Sequence, residues 1–116
     1  MGKDADLMRL PSPLCHAGDG ARYLNTWGTV VARTPDGKWT NWAIARVMLL
    51  DRNRMTGIVH PLQHLGQIHG MWKKLEKPMP FAMFQGGPPF IPFVSSMPIP
   101  AGISEADYMG GYFERC

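Results

Sequence analysis

The tetrapeptide TPDG at residues 34–37 restricts the fold more than any other feature of this chain of 116 residues. Pro, Asp and Gly follow one another there in an order that β-turns favour. The chain is rich in β-branched and aromatic residues on both sides, in RYLNTWGTVVAR before the turn and KWTNWAIARVMLLD after it. Two such runs joined by a short turn predict a β-hairpin.

Shorter elements follow the hairpin. RNRM at residues 52–55 predicts a second tight connection, and TGIVH at 56–60 predicts a third short strand. In residues 61–77, apolar side chains recur at helical spacing, which predicts an amphipathic helix with Pro61 in its first turn and its end before KPMP. The recurring residues are Leu62, Leu65, Ile68, Trp72 and Leu75.

The last third of the chain alternates apolar and turn-forming segments. FAMFQ at 81–85 predicts a fourth strand, and GGPP after it predicts a turn whose second proline starts a short helix. FIPFVSSMPIPAG at 90–102 is apolar and broken by proline, so its pattern supports no assignment. Ser104 is a candidate N-cap of a final helix, with Asp107 three residues further on.

Several short strands with few helices indicate an α+β fold that is mainly β, a small barrel or sheet with peripheral helices. A chain of this length fits one domain. Residues 1–20 are rich in Pro, Gly and Asp without a sustained period, which predicts an extended lead-in along the domain of residues 21–116.

The apolar runs, the two cysteines and the net charge limit the classes of partner and the cellular location that we expect. Pro and charged residues interrupt every apolar run well before the roughly 18 residues of a membrane span, and the amino end lacks the apolar core of a secretory signal. We therefore expect a cytoplasmic protein with no membrane partner, in which Cys15 and Cys116 are reduced thiols. The net charge is +3. Its densest basic cluster, WKKLEK, is typical of a solvated helix face, so we expect no nucleic-acid partner.

Asn41 and Arg46 are the first candidate site residues. They are five residues apart in one predicted strand, and an odd spacing places two side chains on opposite faces of a regular strand. Both reach one site only if the strand is bulged or ends between them, which predicts an interruption near Ala43. Each residue taken alone is more often a solvent-facing group than a functional one.

His64 and Glu105 complete a second candidate set. His64, with Gln63 beside it, lies near the predicted start of a helix, where free N–H groups and a positive field suit an anion such as phosphate. Glu105 follows Ser104, where the helix dipole stabilises a carboxylate whether or not it binds a ligand. Asn, His and Glu side chains together suit Mn²⁺ or Mg²⁺ better than structural zinc. A surface histidine remains the alternative, and the spacing alone establishes no motif.

Three segments of the chain do resemble a known family. They are GDGARYLNTWGTVVARTPDGKWTNWAIARVMLLDRNRMTGIVHPLQH, PFAMFQGGPP and SSMPIPAGISEADY. Together they are similar to the UbiD family of prenylated-FMN-dependent decarboxylases, and most similar to the fungal ferulic (phenylacrylic) acid decarboxylases. The resemblance implies a split β-barrel of the flavin-reductase type that binds prenylated FMN, Mn²⁺ at its phosphate and K⁺ nearby.

The resemblance also implies a role for each matching residue. The divalent ion would be bound by Asn41, His64 and Glu105. The cofactor would be contacted by Asn41, Trp42, Ala43, Ile44, Ala45, Arg46, Gln63, His64 and Glu105. The K⁺ site would comprise Trp42, Val94, Ser95, Met97 and Glu105. Arg46 matches the arginine of the family's Glu-Arg-Glu catalytic network, where a guanidinium can pair with a substrate carboxylate.

The activity implied is the reversible, non-oxidative decarboxylation of α,β-unsaturated aromatic acids of the cinnamic and ferulic type. A flavin prenyltransferase would supply the cofactor. The resemblance places both catalytic glutamates, a phosphate-binding lysine and the flanking domains outside this chain. We therefore expect a fragment or one subunit of a larger enzyme, which self-associates or takes a partner chain. The alternatives are a non-catalytic flavin- or metal-binding module and a purely structural domain.

Overall fold

A computed structural model describes residues 2–113 and shows an α+β arrangement of two antiparallel sheets and three α-helices. The strands are β1 (Tyr23–Leu24), β2 (Thr29–Arg33), β3 (Thr40–Ile44), β4 (Val47–Leu49), β5 (Met55–Thr56) and β6 (Phe81–Phe84). The α-helices are α1 (His64–Lys74), α2 (Phe90–Ser95) and α3 (Glu105–Phe113). More residues lie in helices than in strands, so the prediction of a mainly β chain was too strong. The described strands do not close into a barrel.

The predicted hairpin is confirmed as β2 and β3, paired from Arg33 opposite Thr40 to Thr29 opposite Ile44. At the turn, the Gly37 amide donates to the Thr34 carbonyl over 2.9 Å, and Gly37 has a φ of +73°, which glycine adopts readily. β6 pairs with the other edge of β2, so this sheet has the order β3-β2-β6. The FAMFQ strand was thus correctly predicted.

The second sheet has the order β1-β4-β5 and is built from non-local pairs. Tyr23 lies opposite Met48 in β1 and β4, and Leu49 lies opposite Met55 in β4 and β5. The TGIVH strand was predicted at 56–60, but β5 is Met55–Thr56, so only Thr56 of the prediction is in the strand, and Met55 was wrongly assigned to the connection before it.

α1 covers the first sheet and forms the main core. Its Leu65 and Ile68 are buried against Val30, Ala32 and Trp39. The predicted apolar stripe was wrong at both ends, since Leu62 is 81% exposed and Leu75 is 51% exposed.

The ends of α1 have local causes. A turn precedes it, in which the Gln63 amide donates to the His60 carbonyl, so Pro61 lies outside the helix rather than in its first turn. The helix ends in a Schellman arrangement, with Glu76 at a φ of +52° and Lys77 donating to the Trp72 carbonyl. It therefore stops before KPMP, as predicted.

A smaller core of Leu24, Val47 and Leu49 lies beneath the second sheet. Met83 packs against both cores and so joins the two sheets. The lead-in packs on this unit through Leu7, whose amide donates to the Arg52 carbonyl over 2.8 Å. It also contains short 3-10 helices at Gly2–Asp4 and Leu7–Arg9, which the sequence did not predict.

The remaining predictions concern the final helices, the cysteines and membrane spans. α2 begins directly after Pro89, as predicted. Cys15 is exposed and unpaired, and Cys116 lies outside the described residues. Across residues 2–113, no helix combines the length and apolar character needed to cross a bilayer.

Candidate functional site

A cavity of about 840 Å³ lies where β3, the loop after it, the start of α1 and the start of α3 meet. Cofactor and ligand cavities in proteins span about 300–1,000 Å³. All residues that the sequence assigned to cofactor contact line this cavity: Asn41, Trp42, Ala43, Ile44, Ala45, Arg46, Gln63, His64 and Glu105. Residues from three distant parts of the chain are therefore brought together.

Asn41 is the most unusual residue in the cavity wall. It occupies the same face of β3 as Trp39, on the side that α1 covers. Only 1% of it is exposed, yet neither Nδ2 nor Oδ1 has a hydrogen-bond partner among the described residues. Because an unpaired buried polar group is costly, this amide is a candidate ligand for a group that enters the cavity.

Glu105 is held at the cavity by the free edge of β3. An outer strand leaves alternate backbone N–H groups unpaired, and those of Thr40 and Trp42 are satisfied by the segment that begins α3. The Thr40 amide donates to Ser104 Oγ over 3.2 Å, and the Trp42 amide donates to Glu105 Oε2 over 2.7 Å. The Ser104 carbonyl accepts a hydrogen bond from the Tyr108 amide at the helix start, while the Ser104 hydroxyl accepts one from the Thr40 amide of β3.

Glu105 is 3% exposed as a residue, and burial raises the pKa of its carboxyl above the usual 4.5. The hydrogen bond from the Trp42 amide, a further one from its own amide, and the nearby His64 oppose this rise without cancelling it. A cation bound beside this carboxylate would favour the ionised form and lower the pKa. Burial thus disfavours the ionised form of Glu105 relative to a solvent-exposed glutamate, and a nearby positive charge would favour it.

His64 is the first residue of α1, and its ring packs edge-on against Trp39 with 5.0 Å between centroids. Gln63, the residue before the helix, makes no side-chain capping bond and also lines the cavity. Because the first N–H groups of a helix lack intrahelical acceptors, this end of α1 presents donors and a positive field to the cavity.

Arg46 reaches the same cavity because β3 ends at Ile44 and the chain re-enters a strand only at Val47. The predicted interruption near Ala43 is confirmed and begins two residues after it, at Ala45. The Arg46 side chain is exposed, and its guanidinium carbon lies 4.9 Å from the centroid of the Tyr23 ring. No carboxylate pairs with Arg46 within residues 2–113, so its guanidinium is unpaired at the cavity wall.

The residues assigned to K⁺ lie at the end of α2. Trp42, Ser95, Met97 and Glu105 line the cavity, whereas Val94 is buried outside its lining. Ser95 Oγ donates to the Ile91 carbonyl over 2.8 Å and accepts from Thr29 Oγ1 over 3.1 Å. The carbonyls of Val94 and Met97 accept from the amides of Met97 and Ile99. These oxygens are therefore already engaged, although a carbonyl keeps a second lone pair.

The donor set at Asn41 fits a hard divalent cation. One amide, one imidazole and one carboxylate provide mixed nitrogen and oxygen ligands, as Mn²⁺ accepts. Where the structure describes the chain, no cluster of three or more His, Cys, Asp or Glu side chains is arranged for a metal ion. The described residues thus offer no tetrahedral zinc cluster, and in a mixed site the unbonded amide oxygen of Asn41 would be the third ligand.

Several wall residues were missed by the sequence reasoning. Tyr23, Met48, Thr56, Gly57, Ile58, Leu62, Leu65, Ser96 and Pro98 also line the cavity. Tyr23 reaches it through the pairing of β1 with β4, a long-range contact without a local signal. Ile58 is 91% exposed at the rim, and a run of apolar residues around it was the available signal.

Comparison with known proteins decides the family. The model of the Rift-related domain of UbiD, 3-octaprenyl-4-hydroxybenzoate carboxy-lyase, matches residues 1–115. The chain belongs to the UbiD family. This membership confirms the resemblance that the three sequence segments carried.

Two characterised relatives match nearly the whole chain. Pyrrole-2-carboxylic acid decarboxylase of Pseudomonas aeruginosa is 47% identical over 110 residues, which cover 95% of this chain and 22% of the relative. Ferulic acid decarboxylase 1 of Saccharomyces cerevisiae is 49% identical over 106 residues, covering 90% of this chain and 21% of the relative. The chain thus spans about a fifth of the length of these enzymes.

A solved structure supports the fold. An evolved dimeric form of the UbiD-class enzyme HmfF from Pelotomaculum thermopropionicum, in complex with prFMN, has a TM-score of 0.87 and 26% sequence identity. The match covers 95% of this chain and 26% of that protein. The arrangement of sheets and helices described above is therefore that of a UbiD-class enzyme.

Proposed function

We propose that this chain forms the cofactor-binding part of a decarboxylase of the UbiD family and binds prenylated FMN with Mn²⁺ at its phosphate. The observation that carries the proposal is the buried, unbonded amide of Asn41 on the same cavity as His64 and Glu105. Family membership and the prFMN complex of a related structure support it. The two sheets would then form part of a split β-barrel of the flavin-reductase type.

Different residues would bind the divalent ion, the phosphate and K⁺, each according to its chemistry. Asn41, His64 and Glu105 would bind the divalent ion, and the N-terminal end of α1 would favour the phosphate through its free N–H groups and positive field. Ser95 and the carbonyls at the end of α2 would hold K⁺, because cations are favoured at helix C-terminal ends. Trp42, with Val94, Met97 and Glu105, would complete that set.

The reaction proposed is the decarboxylation of a conjugated acid of the aromatic acrylic class. Bound prenylated FMN supplies the electron sink that carbon–carbon bond cleavage requires. The protein's part is to orient the acid, and the guanidinium of Arg46 has free donors in the geometry that suits a carboxylate. The two relatives named above act on carboxylic acids, which is consistent with this role.

One observation favours a second function, a flavin- and metal-binding module without turnover. Among the described residues, the only acid that lines the cavity is Glu105, and its Oε2 accepts a hydrogen bond from the Trp42 amide. A buried acid that also binds a cation is a poor proton donor. Turnover would then need carboxyl groups from a partner chain or from a longer polypeptide, as the short span of the match implies.

The test is native mass spectrometry with absorption spectra on the chain co-expressed with a flavin prenyltransferase and supplied with Mn²⁺ and K⁺. Wild type is compared with His64→Ala and with His69→Ala, an exposed histidine of the same helix. We expect wild type and His69→Ala to retain prenylated FMN with one Mn²⁺, and His64→Ala to lose both. Retention by all three proteins, or by none, would refute the proposed site.

Turnover is measured separately with a panel of conjugated acids, including pyrrole-2-carboxylate and ferulate. Release of CO₂ by the loaded chain alone would rule out the binding module. Cofactor retention without CO₂ release, in the presence of any added partner chain, would rule out the decarboxylase.

A further inference from the structure

Residues 23–25 contact the break between β3 and β4 at two adjacent points. Asn25 is 3% exposed and has a φ of +66°, a conformation that asparagine adopts more readily than most residues. Its Nδ2 donates to the Ala45 carbonyl over 3.0 Å. Ala45 directly precedes Arg46, so this bond restrains the backbone from which the Arg46 side chain departs.

Tyr23 contacts the side chain itself. Its pairing opposite Met48 in the second sheet places the ring under the Arg46 guanidinium, with 4.9 Å from the guanidinium carbon to the ring centroid. A cation–π contact of this kind uses no hydrogen bond of the guanidinium, so its N–H donors stay available to a carboxylate. Leu24 between them is buried in the smaller core and anchors both residues.

The chain at residue 28 is shaped around the Asn25 amide. A Cβ atom at Gly28 would lie 2.3 Å from Asn25 Cγ and 2.8 Å from the Phe84 carbonyl oxygen. Only glycine leaves room there for the side chain of Asn25. The position of this amide is therefore enforced from both sides, by Gly28 and by the Ala45 carbonyl.

We propose that Tyr23 and Asn25 are positioning residues that hold the Arg46 guanidinium with its donors directed into the cavity. The proposal rests on the proposed function insofar as the carboxylate of an acid substrate is the group that Arg46 receives. Tyr23 acts on the orientation of the guanidinium, and Asn25 acts on the backbone that carries it. This role does not require Tyr23 or Asn25 to contact the metal site of the cofactor.

The first test needs no cofactor. Side-chain NMR of the chain with ¹⁵N-labelled arginine reports the mobility of Arg46 Nε and the ring-current shift of its methylene protons. We expect Tyr23→Leu to abolish the shift and to increase mobility, and Tyr23→Phe to preserve both, because the phenyl face suffices for stacking. Asn25→Gly keeps the positive φ without the amide, and should increase Arg46 mobility while the Tyr23 ring remains.

The second test measures binding of pyrrole-2-carboxylate and of the neutral pyrrole-2-carboxamide to the cofactor-loaded chain. Loss of one stacking contact at a partly exposed site should weaken acid binding roughly three- to tenfold. Binding of the amide should stay within twofold of wild type, because it gains little from the guanidinium. If Tyr23 had only a structural role, its loss would weaken binding of both probes equally. Tyr23→Phe should restore binding of the acid.

The outcomes separate the two proposals. An Arg46 signal unchanged in Tyr23→Leu and Asn25→Gly would overturn the positioning role, whatever the chain binds. Equal weakening of acid and amide would overturn it as well. Loss of order at Arg46 in a chain that retains no flavin would support the positioning role and refute the cofactor site instead.

Discussion

Replacing Asn41 by leucine should make the ligand-free chain more stable and should remove its response to metal. Asn41 is 1% exposed, and the two polar atoms of its side chain have no hydrogen-bond partner in the part of the chain that the structure describes. Each unsatisfied buried polar group costs about 1–3 kcal/mol, so the two together cost roughly 2–6 kcal/mol. Because the amide borders a cavity that water can enter, we expect only about half of that cost, about 1–3 kcal/mol, to be recovered by leucine.

The assay is urea unfolding at pH 7 in EDTA, followed by circular dichroism, with the same m-value for both proteins as a check that only stability has changed. A gain of 1 kcal/mol raises the melting temperature of a domain of this size by roughly 4 °C or more. The same curves are then measured with Mn²⁺ and FMN. A ligand at 100 times its Kd stabilises by about 2.7 kcal/mol, which we expect in wild type alone.

The matched control is Asn53→Leu, at an exposed turn position. It should change stability by no more than about 0.5 kcal/mol and leave the response to ligand intact. If Asn41→Leu instead destabilises the ligand-free chain by 1 kcal/mol or more, the amide has a partner in solution. The inference that it is a vacant ligand would then be refuted.

Further predictions concern pH, packing and assembly. Burial raises the pKa of Glu105, so the fold favours its neutral form, and the ligand-free chain should lose stability as pH rises from about 4.5 through the folded pKa. Urea titrations should show this slope, and Glu105→Gln should flatten it; an unchanged slope would assign it to another group. Gly66→Ala places a Cβ 2.1 Å from the His60 carbonyl oxygen, and we expect a loss of about 1–3 kcal/mol in thermal melts. Gly70→Ala, in the same helix with open space around it, should instead gain up to about 1 kcal/mol, and equal effects would contradict the clash. Because large apolar side chains are exposed, the ligand-free chain should self-associate in sedimentation velocity, and a monodisperse, thermally robust monomer would contradict this.

The apolar segment PFIPFVSSMPIP is only partly exposed. Val94 and Ile99 within it are buried, and Phe93 is the exposed exception among the large hydrophobics. Greater exposure occurs at Ile58 and Leu62, on the rim of the cavity. The sequence pattern identified apolar residues correctly but could not show which of them the sheet and α2 cover.

Local chemistry explains which parts of the fold could be predicted. The hairpin follows from a turn whose residues suit their positions, and the middle of α1 follows from the 3.6-residue period of its core contacts. The start of α1 was misplaced because the turn before it is set by a hydrogen bond between Gln63 and His60. The second sheet depends on pairs such as Tyr23 with Met48, which no local pattern encodes.

The candidate site, like the fold, could be predicted from the sequence only in part. Residue types and resemblance indicated Asn41, His64 and Glu105, and the odd spacing of Asn41 and Arg46 predicted the strand break. What the sequence could not show is the state of these groups in the fold. The unbonded amide of Asn41, the burial of Glu105 and the ring beneath Arg46 all arise from packing between segments far apart in the chain.

The unbonded amide of Asn41 and the buried carboxyl of Glu105 both lower the stability of the ligand-free fold. A buried amide without partners and a buried acid with a raised pKa both make the ligand-free fold less stable than an apolar wall would. A divalent cation bound there would remove both penalties at once, because it would take the amide oxygen as a ligand and favour the ionised carboxylate. If the bound cation lowers the pKa of Glu105 below its unfolded value, the contribution of Glu105 to stability should rise with pH instead of falling. An ordinary buried glutamate would keep the same sign with and without Mn²⁺, and the reversal therefore distinguishes a metal ligand from a structural acid.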